Sequence, residues 1–192
     1  PARDQVLLDL VRQGHALLSW QPIHVVHGNT VATFYVTADA LRLGEVVDAI
    51  RPTVSSRAQQ MIADELDAVL PTAKLSDEIY HQAHIQIHPV TMTSTTTEGM
   101  SSRQWMLEHS NAIDDRISVA AQHLGFDPNT AIVAPAGKDW LVSSMLAGHP
   151  NWRICPTPKG QIPQRGPQPA AINYGWHHPM GSGERRSATY AN

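Results

Sequence analysis

Gly28-Asn29 stands between two segments, 23–27 and 30–37, that are rich in β-branched and aromatic residues. A two-residue connection of this composition reverses the chain into an antiparallel pair, because its backbone twist matches that of the flanking strands. Thr33-Phe34-Tyr35-Val36-Thr37 supplies side chains that suit a pleated surface. Just before it, residues 3–19 place Val6, Leu10 and Leu17 on one helical stripe, with Leu7, Val11, Gly14 and Leu18 beside it. Trp20-Gln21-Pro22 ends that predicted helix. The chain therefore opens as helix, then hairpin.

The same reading carries through the middle of the chain. A short helical piece is expected near 45–50, and Pro52-Thr53 introduces a clearer helix over 54–69 with Ala58, Met61, Ile62, Leu66 and Val69 on one side. Asp64, Glu65 and Asp67 form its solvated face, and Pro71 stops it. Ser76 caps a short helix over 77–82. Residues 83–90 alternate Ile85 and Ile87 against His84, Gln86 and His88, the pattern of a half-buried strand. A polar loop over 91–99 follows. Ser101 and Gln104 stand at capping-box spacing, ahead of a long helix with Met106, Ile113, Ile117, Ala120 and Leu124 on its stripe and Gly125 as its stop. Asn111 to Asp115 is where that helix would bend.

Residues 131–134 read as a short apolar strand, 139–147 as a helix capped by Asp139, and 170–176 as a last strand. Six of the 14 prolines fall in 150–169, which excludes continuous regular structure there and predicts a surface loop. A polar tail, 180–192, closes the chain without a terminating element. These elements predict one domain over 1–192, of α+β class. A small mixed or antiparallel sheet with an N-terminal hairpin packs against three or four helices.

Composition excludes several function classes. No apolar run approaches the roughly 20 residues that cross a bilayer. A start at Pro1 leaves a removed leader open. A single cysteine, Cys155, rules out an internal disulfide and a multi-cysteine zinc site. Flanked by Pro156, it carries no activating signature. Residues 1–137 hold 8 basic and 15 acidic side chains, whereas 138–192 hold 6 and 2. The basic end lies against the acidic body or forms an anion-attracting rim, and it is too sparse for nucleic acid.

Eleven histidines raise the question of a metal. On a strand His84 and His88 lie about 13 Å apart, too far for one ion. On a helix they would chelate with His81 nearby. The strand assignment argues against a sequential site, so no metal ligand is assigned; a divalent ion drawn from several segments stays open, and no other cofactor is specified. Pro135-Ala136-Gly137-Lys138-Asp139 has the order strand, turn, lysine, helix start, where backbone amides receive an anion or simply make a capped turn. It lacks the length and the Lys-Ser/Thr ending of a phosphate loop. Serine-hydrolase elbows and zinc-protease helices are also missing. The densest polar cluster is Asn173-Tyr174-Gly175-Trp176-His177-His178, at the end of a predicted strand. Imidazoles there suit acid/base work, and Tyr174 with Trp176 suits an aromatic platform or plain packing.

Leu70-Pro71-Thr72-Ala73-Lys74 followed by Asp77-Glu78-Ile79-Tyr80, the pair Lys138-Asp139, and Tyr174-Gly175-Trp176-His177 together resemble an uncharacterised, exported bacterial protein family. The resemblance covers under a fifth of the chain and implies no known activity. The family pattern continues into further histidines and an Asp-Tyr-Ser sequence that this chain lacks through Asn192. It implies that Thr72, Lys74, Asp77, Lys138, Asp139, Tyr174 and His177 share one polar site, and it favours an extracytoplasmic location.

The leading expectation is a hydrolase of an extracytoplasmic polymer or peptide. His177 would be the acid/base, with Asp77 or Asp139 orienting it and Lys74 or Lys138 stabilising negative charge. Tyr174, Trp176 and Thr72 would contact substrate. Two other classes are carried beside it. One is a glycan- or peptide-binding module using Tyr174, Trp176 and Trp152; the other is an assembly protein ordered by a partner.

Overall fold

A computed structural model describes residues 2–88, 90, 102–135, 138–141, 172–175 and 184–186, the last three segments as backbone. The first helix, α1 (Ala2–Arg12), buries Leu7, Leu8 and Val11. It ends earlier than its apolar stripe predicts. Gly14 takes a positive φ of 83°, and the chain turns there into a two-residue strand, β1 (Ala16–Leu17). Leu17 and Leu18 thus belong to extended backbone. The left-handed turn at Gly14 outweighs the stripe.

The hairpin forms as its turn predicts: β2 (Trp20–His27) pairs antiparallel with β3 (Thr30–Thr37), with Ile23 opposite Phe34 and His27 opposite Thr30. Gly28 supplies the positive φ, 58°. Its strands begin at Trp20, so Trp20-Gln21-Pro22 starts a strand instead of ending a helix. Ile23 and Val36 are buried on one face. β4 (Arg42–Leu43) then pairs with β1. Residues 45–50, expected as helix, form a turn returning Ile50 to Leu43. Asp48 closes it by accepting the Glu45 amide at 2.9 Å.

Helix α2 (Ser56–Glu65) is capped by Ser55, whose hydroxyl accepts the Ala58 amide. It is shorter than the predicted 54–69, and Val69 lies beyond it, exposed. α3 (Ala73–Gln82) starts earlier than predicted, because Thr72 caps it by accepting the Leu75 amide. Ser76 is no cap: it lies within the helix, 3% exposed. β5 (Ile85–Ile87) buries Ile85 and Ile87 and exposes Gln86, as the alternation predicts. α4 (Arg103–Leu124) runs unbroken through Asn111–Asp115, capped by Ser102, one residue after the expected Ser101, and stopped at Gly125 with φ 76°. β6 (Val133–Pro135) lies parallel to β5.

The downstream segments differ more from expectation. Residues 138–141, expected to begin a helix at Asp139, form β7 (Lys138–Leu141), which pairs antiparallel with β8 (Ile172–Gly175). Asp139 is a strand residue opposite Tyr174 instead of a helix cap. A third strand, β9 (Glu184–Arg186), pairs with β8 inside the stretch expected as a featureless tail. The predicted loops at 91–99 and 150–169 lie outside the described residues.

The molecule is α+β, with four helices and mainly antiparallel pairs among the described residues. Its three larger apolar clusters among the described residues hold it together. α1 packs on α2 through Leu7, Leu8, Val11, Val54, Ala58 and Ile62. α4 covers the parallel pair through Ile117, Ala121, Ile85, Ile87 and Val133. The hairpin joins α3 through Ile23, Val36, Ile132, Leu75 and Ile79. The Gln82 side chain ties α3 to β2, donating to the His24 carbonyl at 2.8 Å and accepting the His24 amide at 3.0 Å. A single glutamine amide thus caps a stretch of open strand edge. No described helix is long and apolar enough to cross a membrane.

Candidate functional site

Hairpin, α2, α3 and β6 surround a cavity of about 640 Å³, within the range of small-molecule and peptide-side-chain pockets. Its walls come from elements already placed by the core. α3 turns Leu75, Ser76, Ile79 and Tyr80 inward, α2 contributes Ile62 and its C-cap Leu66, and β6 contributes Val133 and Ala134. β2 and β3 bring Trp20, Phe34 and Tyr35, which remain 41–68% exposed. Large aromatic rings left that open are poor candidates for core packing and good ones for contact with a bound molecule.

One end of the cavity is polar. Arg51 is only 3% exposed, yet it is fully engaged. Its guanidinium makes a fork with Asp39, donating from Nη2 to Oδ2 and from Nε to Oδ2 at 3.1 Å. Its Nη1 donates to Asp114 Oδ1 at 2.8 Å. The Arg51 amide donates to Ser110 Oγ, itself completely buried, at 3.1 Å. Burial opposes the guanidinium's charge, but the hydrogen bonds and attraction of Asp39, then Asp114, outweigh it and hold its pKa above the ordinary value. Nearby, His109 donates Nε2–H to the Val90 carbonyl at 2.9 Å. Burial pushes its pKa down, the Val90 bond opposes that, and the Arg51 charge adds to the lowering. The imidazole is therefore neutral at pH 7. Burial also raises the Tyr80 phenol.

Of the residues singled out in the sequence, Thr72, Lys74 and Asp77 are not among the cavity's described lining. Thr72 serves as the cap of α3, and Lys74 is exposed in the first turn. Asp77 is half-buried on the same helix. Lys138 and Asp139 lie on β7 opposite Gly175 and Tyr174 of β8. α3 lies against both β6 and β7. The helix carrying Thr72, Lys74 and Asp77 is thus a neighbour of the strand carrying Lys138 and Asp139, which pairs with the strand carrying Tyr174. Trp176, His177, His178, Trp152 and Cys155 lie outside the described residues. The small-residue turn expected to lead into a helix at Asp139 gives way, from Lys138 onward, to strand.

Among the described residues no three His, Cys, Asp or Glu side chains converge as a metal site would require. His84, at the edge of β5, accepts the Ile132 amide through Nδ1 at 2.9 Å, and its ring packs 5.1 Å from Phe126. That bond gives it a structural role.

The buried polar group of Asp39, Arg51, Ser110 and Asp114 escaped sequence reading. Arg51 stands 12, 59 and 63 residues from Asp39, Ser110 and Asp114, and no local periodicity links it to them. Ser76 and Tyr80 were nearer to hand, four residues apart on a helix and so on one face, but the helix start had to be right first. Compared with protein-family models, curated proteins and solved structures, the chain matches none.

Proposed function

We propose that this protein is a hydrolase of an extracytoplasmic polymer or peptide. In this reading the cavity holds an apolar part of the substrate, and chemistry takes place along the α3–β7–β8 edge. The observation that carries it is the adjacency of three sequence-distant islands. α3 bears Lys74 and Asp77, β7 bears Lys138 and Asp139, and β8 bears Tyr174, with His177 two positions past its end in sequence. These are the islands that resemble the exported bacterial family. Hydrolysis of an amide or ester needs a base for water, a cation for the developing oxyanion and an acid for the leaving group. His177, a lysine and a carboxylate that orients the imidazole supply that set.

The test is degradation of a mixed peptide library and of soluble glycans, followed by mass spectrometry. Wild-type protein is expected to release defined fragments, and His177→Ala to lower the rate by about 10²–10⁴-fold. Lys138→Met and Asp77→Asn should each cost activity. Unchanged turnover in His177→Ala would remove the assignment.

One observation favours a binding module as the second reading. The described charged groups at the cavity's polar end, Asp39 and Arg51, are committed to each other and to Asp114, while the remaining lining is largely apolar and aromatic. Peptides or glycans that bind without being cleaved would support it.

A further inference from the structure

The cavity's charge and one backbone irregularity at its wall point to a substrate class. Asp67 lines the cavity, is exposed, and is the described non-glycine residue with positive φ, at 51°. It stands just past α2, where the chain closes with Asp67 N–H to the Asp64 carbonyl at 3.3 Å and Ala68 N–H to the Ala63 carbonyl at 2.9 Å. This hydrogen-bond pair is the left-handed helix stop that glycine, or else asparagine, ordinarily fills. An aspartate there is disfavoured twice: by its Cβ at positive φ and by a negative charge at the negative end of a helix. Local stability therefore gives no reason for a carboxylate at this position.

The surroundings supply one. Among the described lining residues the charged side chains are Asp39, Asp67 and Arg51, with no lysine or histidine. Arg51 is neutralised by Asp39 and by Asp114, so among the described residues Asp67 adds a negative charge with no ion-pair partner to a cavity that is largely apolar away from the Arg51 end. Trp20, Phe34 and Tyr35 are among its lining residues; Phe34 and Tyr35, consecutive on β3, present their rings to opposite faces, and an aromatic face on the cavity side attracts cations. Carboxylate and rings both select positive charge, whereas the apolar walls select hydrocarbon.

We propose that the cavity binds a peptide segment in which a basic residue is flanked by apolar ones, with Asp67 receiving the ammonium or guanidinium group. This rests on the reading of the cavity as the substrate pocket and narrows it from polymer or peptide to basic-apolar peptide.

The experiment compares two blocked tripeptides, acetyl-Leu-Lys-Leu-amide and acetyl-Leu-Gln-Leu-amide. Binding is followed by calorimetry and by the indole N–H resonance of Trp20, a residue of the cavity's lining. The lysine peptide should bind about threefold to fivefold more tightly, the scale of an exposed ion pair, and the difference should shrink as salt rises. Asp67→Asn keeps the shape, suits the left-handed position better and removes the charge. It should raise the melting temperature by about 2 °C while abolishing both the lysine preference and its salt dependence. Equal binding of the two peptides by the wild type, or a preference that persists in Asp67→Asn, overturns the role of Asp67 and leaves the pocket standing. If neither peptide moves the Trp20 resonance, the pocket reading itself fails.

Discussion

Replacing Asp39 by asparagine tests how the polar end of the cavity is held. The Arg51 side chain is 3% exposed, that of Asp39 24% and that of Asp114 40%. Removing one partner of a fully buried ion pair costs roughly 3–5 kcal/mol, because the remaining charge is stranded without water. Two features reduce that here. Asp114 continues to receive Nη1, and the asparagine carbonyl still accepts one guanidinium hydrogen bond. The loss in Asp39→Asn is then about 2 kcal/mol, equivalent to roughly 4–8 °C for a chain of this size. Asp114→Asn removes the more exposed partner, and water replaces it, so its cost stays below about 1 kcal/mol. Urea unfolding at constant slope measures both. The reasoning depends on the ordering: if Asp114→Asn proves the more damaging, or if Asp39→Asn costs under about 0.5 kcal/mol, burial does not govern this network. The double variant Arg51→Met, Asp39→Leu sharpens the test. It removes the ion pair as a whole and should be more stable than Asp39→Asn alone.

The lowered pKa of His109 makes stability depend on pH in a defined direction. The unfolded chain takes up the proton first, near 6.5, so the contribution is complete above that value and is lost as pH falls through 6.5 toward the lower folded-state value. The stability difference between wild type and His109→Gln should therefore narrow from pH 8 to pH 5, and a difference that is flat or widens would contradict a buried neutral imidazole. Gly44→Ala should cost more than about 1 kcal/mol in the same assay. Its φ is 130°, and an added Cβ would stand 2.9 Å from the Ala49 backbone; an unchanged melting temperature would mean that the 45–50 turn yields easily.

What the sequence shows and what it hides divide along the range of the interaction concerned. The hairpin was legible because Gly28-Asn29 and the strands it joins lie within 18 residues, and the same holds for the α4 stop at Gly125. Boundaries failed where two local signals competed. Leu17 and Leu18 extend a helical stripe, but the left-handed Gly14 ends the helix before them. Ser76 looks like a cap, but Thr72 holds that place, and Ser76 faces the interior because Leu75, Ile79 and Tyr80 dictate the rotation of α3. Lys138-Asp139 followed a proline and a glycine and read as a helix start. Its strand conformation depends on pairing with residues 172–175, more than 30 positions away, which no local pattern can report.

That same pairing bears on the site. Lysine–aspartate and tyrosine–glycine–tryptophan–histidine islands carry little meaning as separate strings, since each has an ordinary structural explanation. Once β7 and β8 are antiparallel, Asp139 and Tyr174 are cross-strand partners, and α3 beside β7 brings the third island to the same edge. Asp67 and the Arg51 network divide the cavity's charge in an instructive way. Asp39 and Asp114 compensate a buried cation, so their substitution should register in stability. Asp67 pairs with no described cation and occupies a position its own backbone disfavours, so its substitution should stabilise the fold and register in ligand selection instead. Opposite signs in the two melting shifts, Asp39→Asn downward and Asp67→Asn upward, would separate the carboxylate that builds the cavity from the one that reads what enters it.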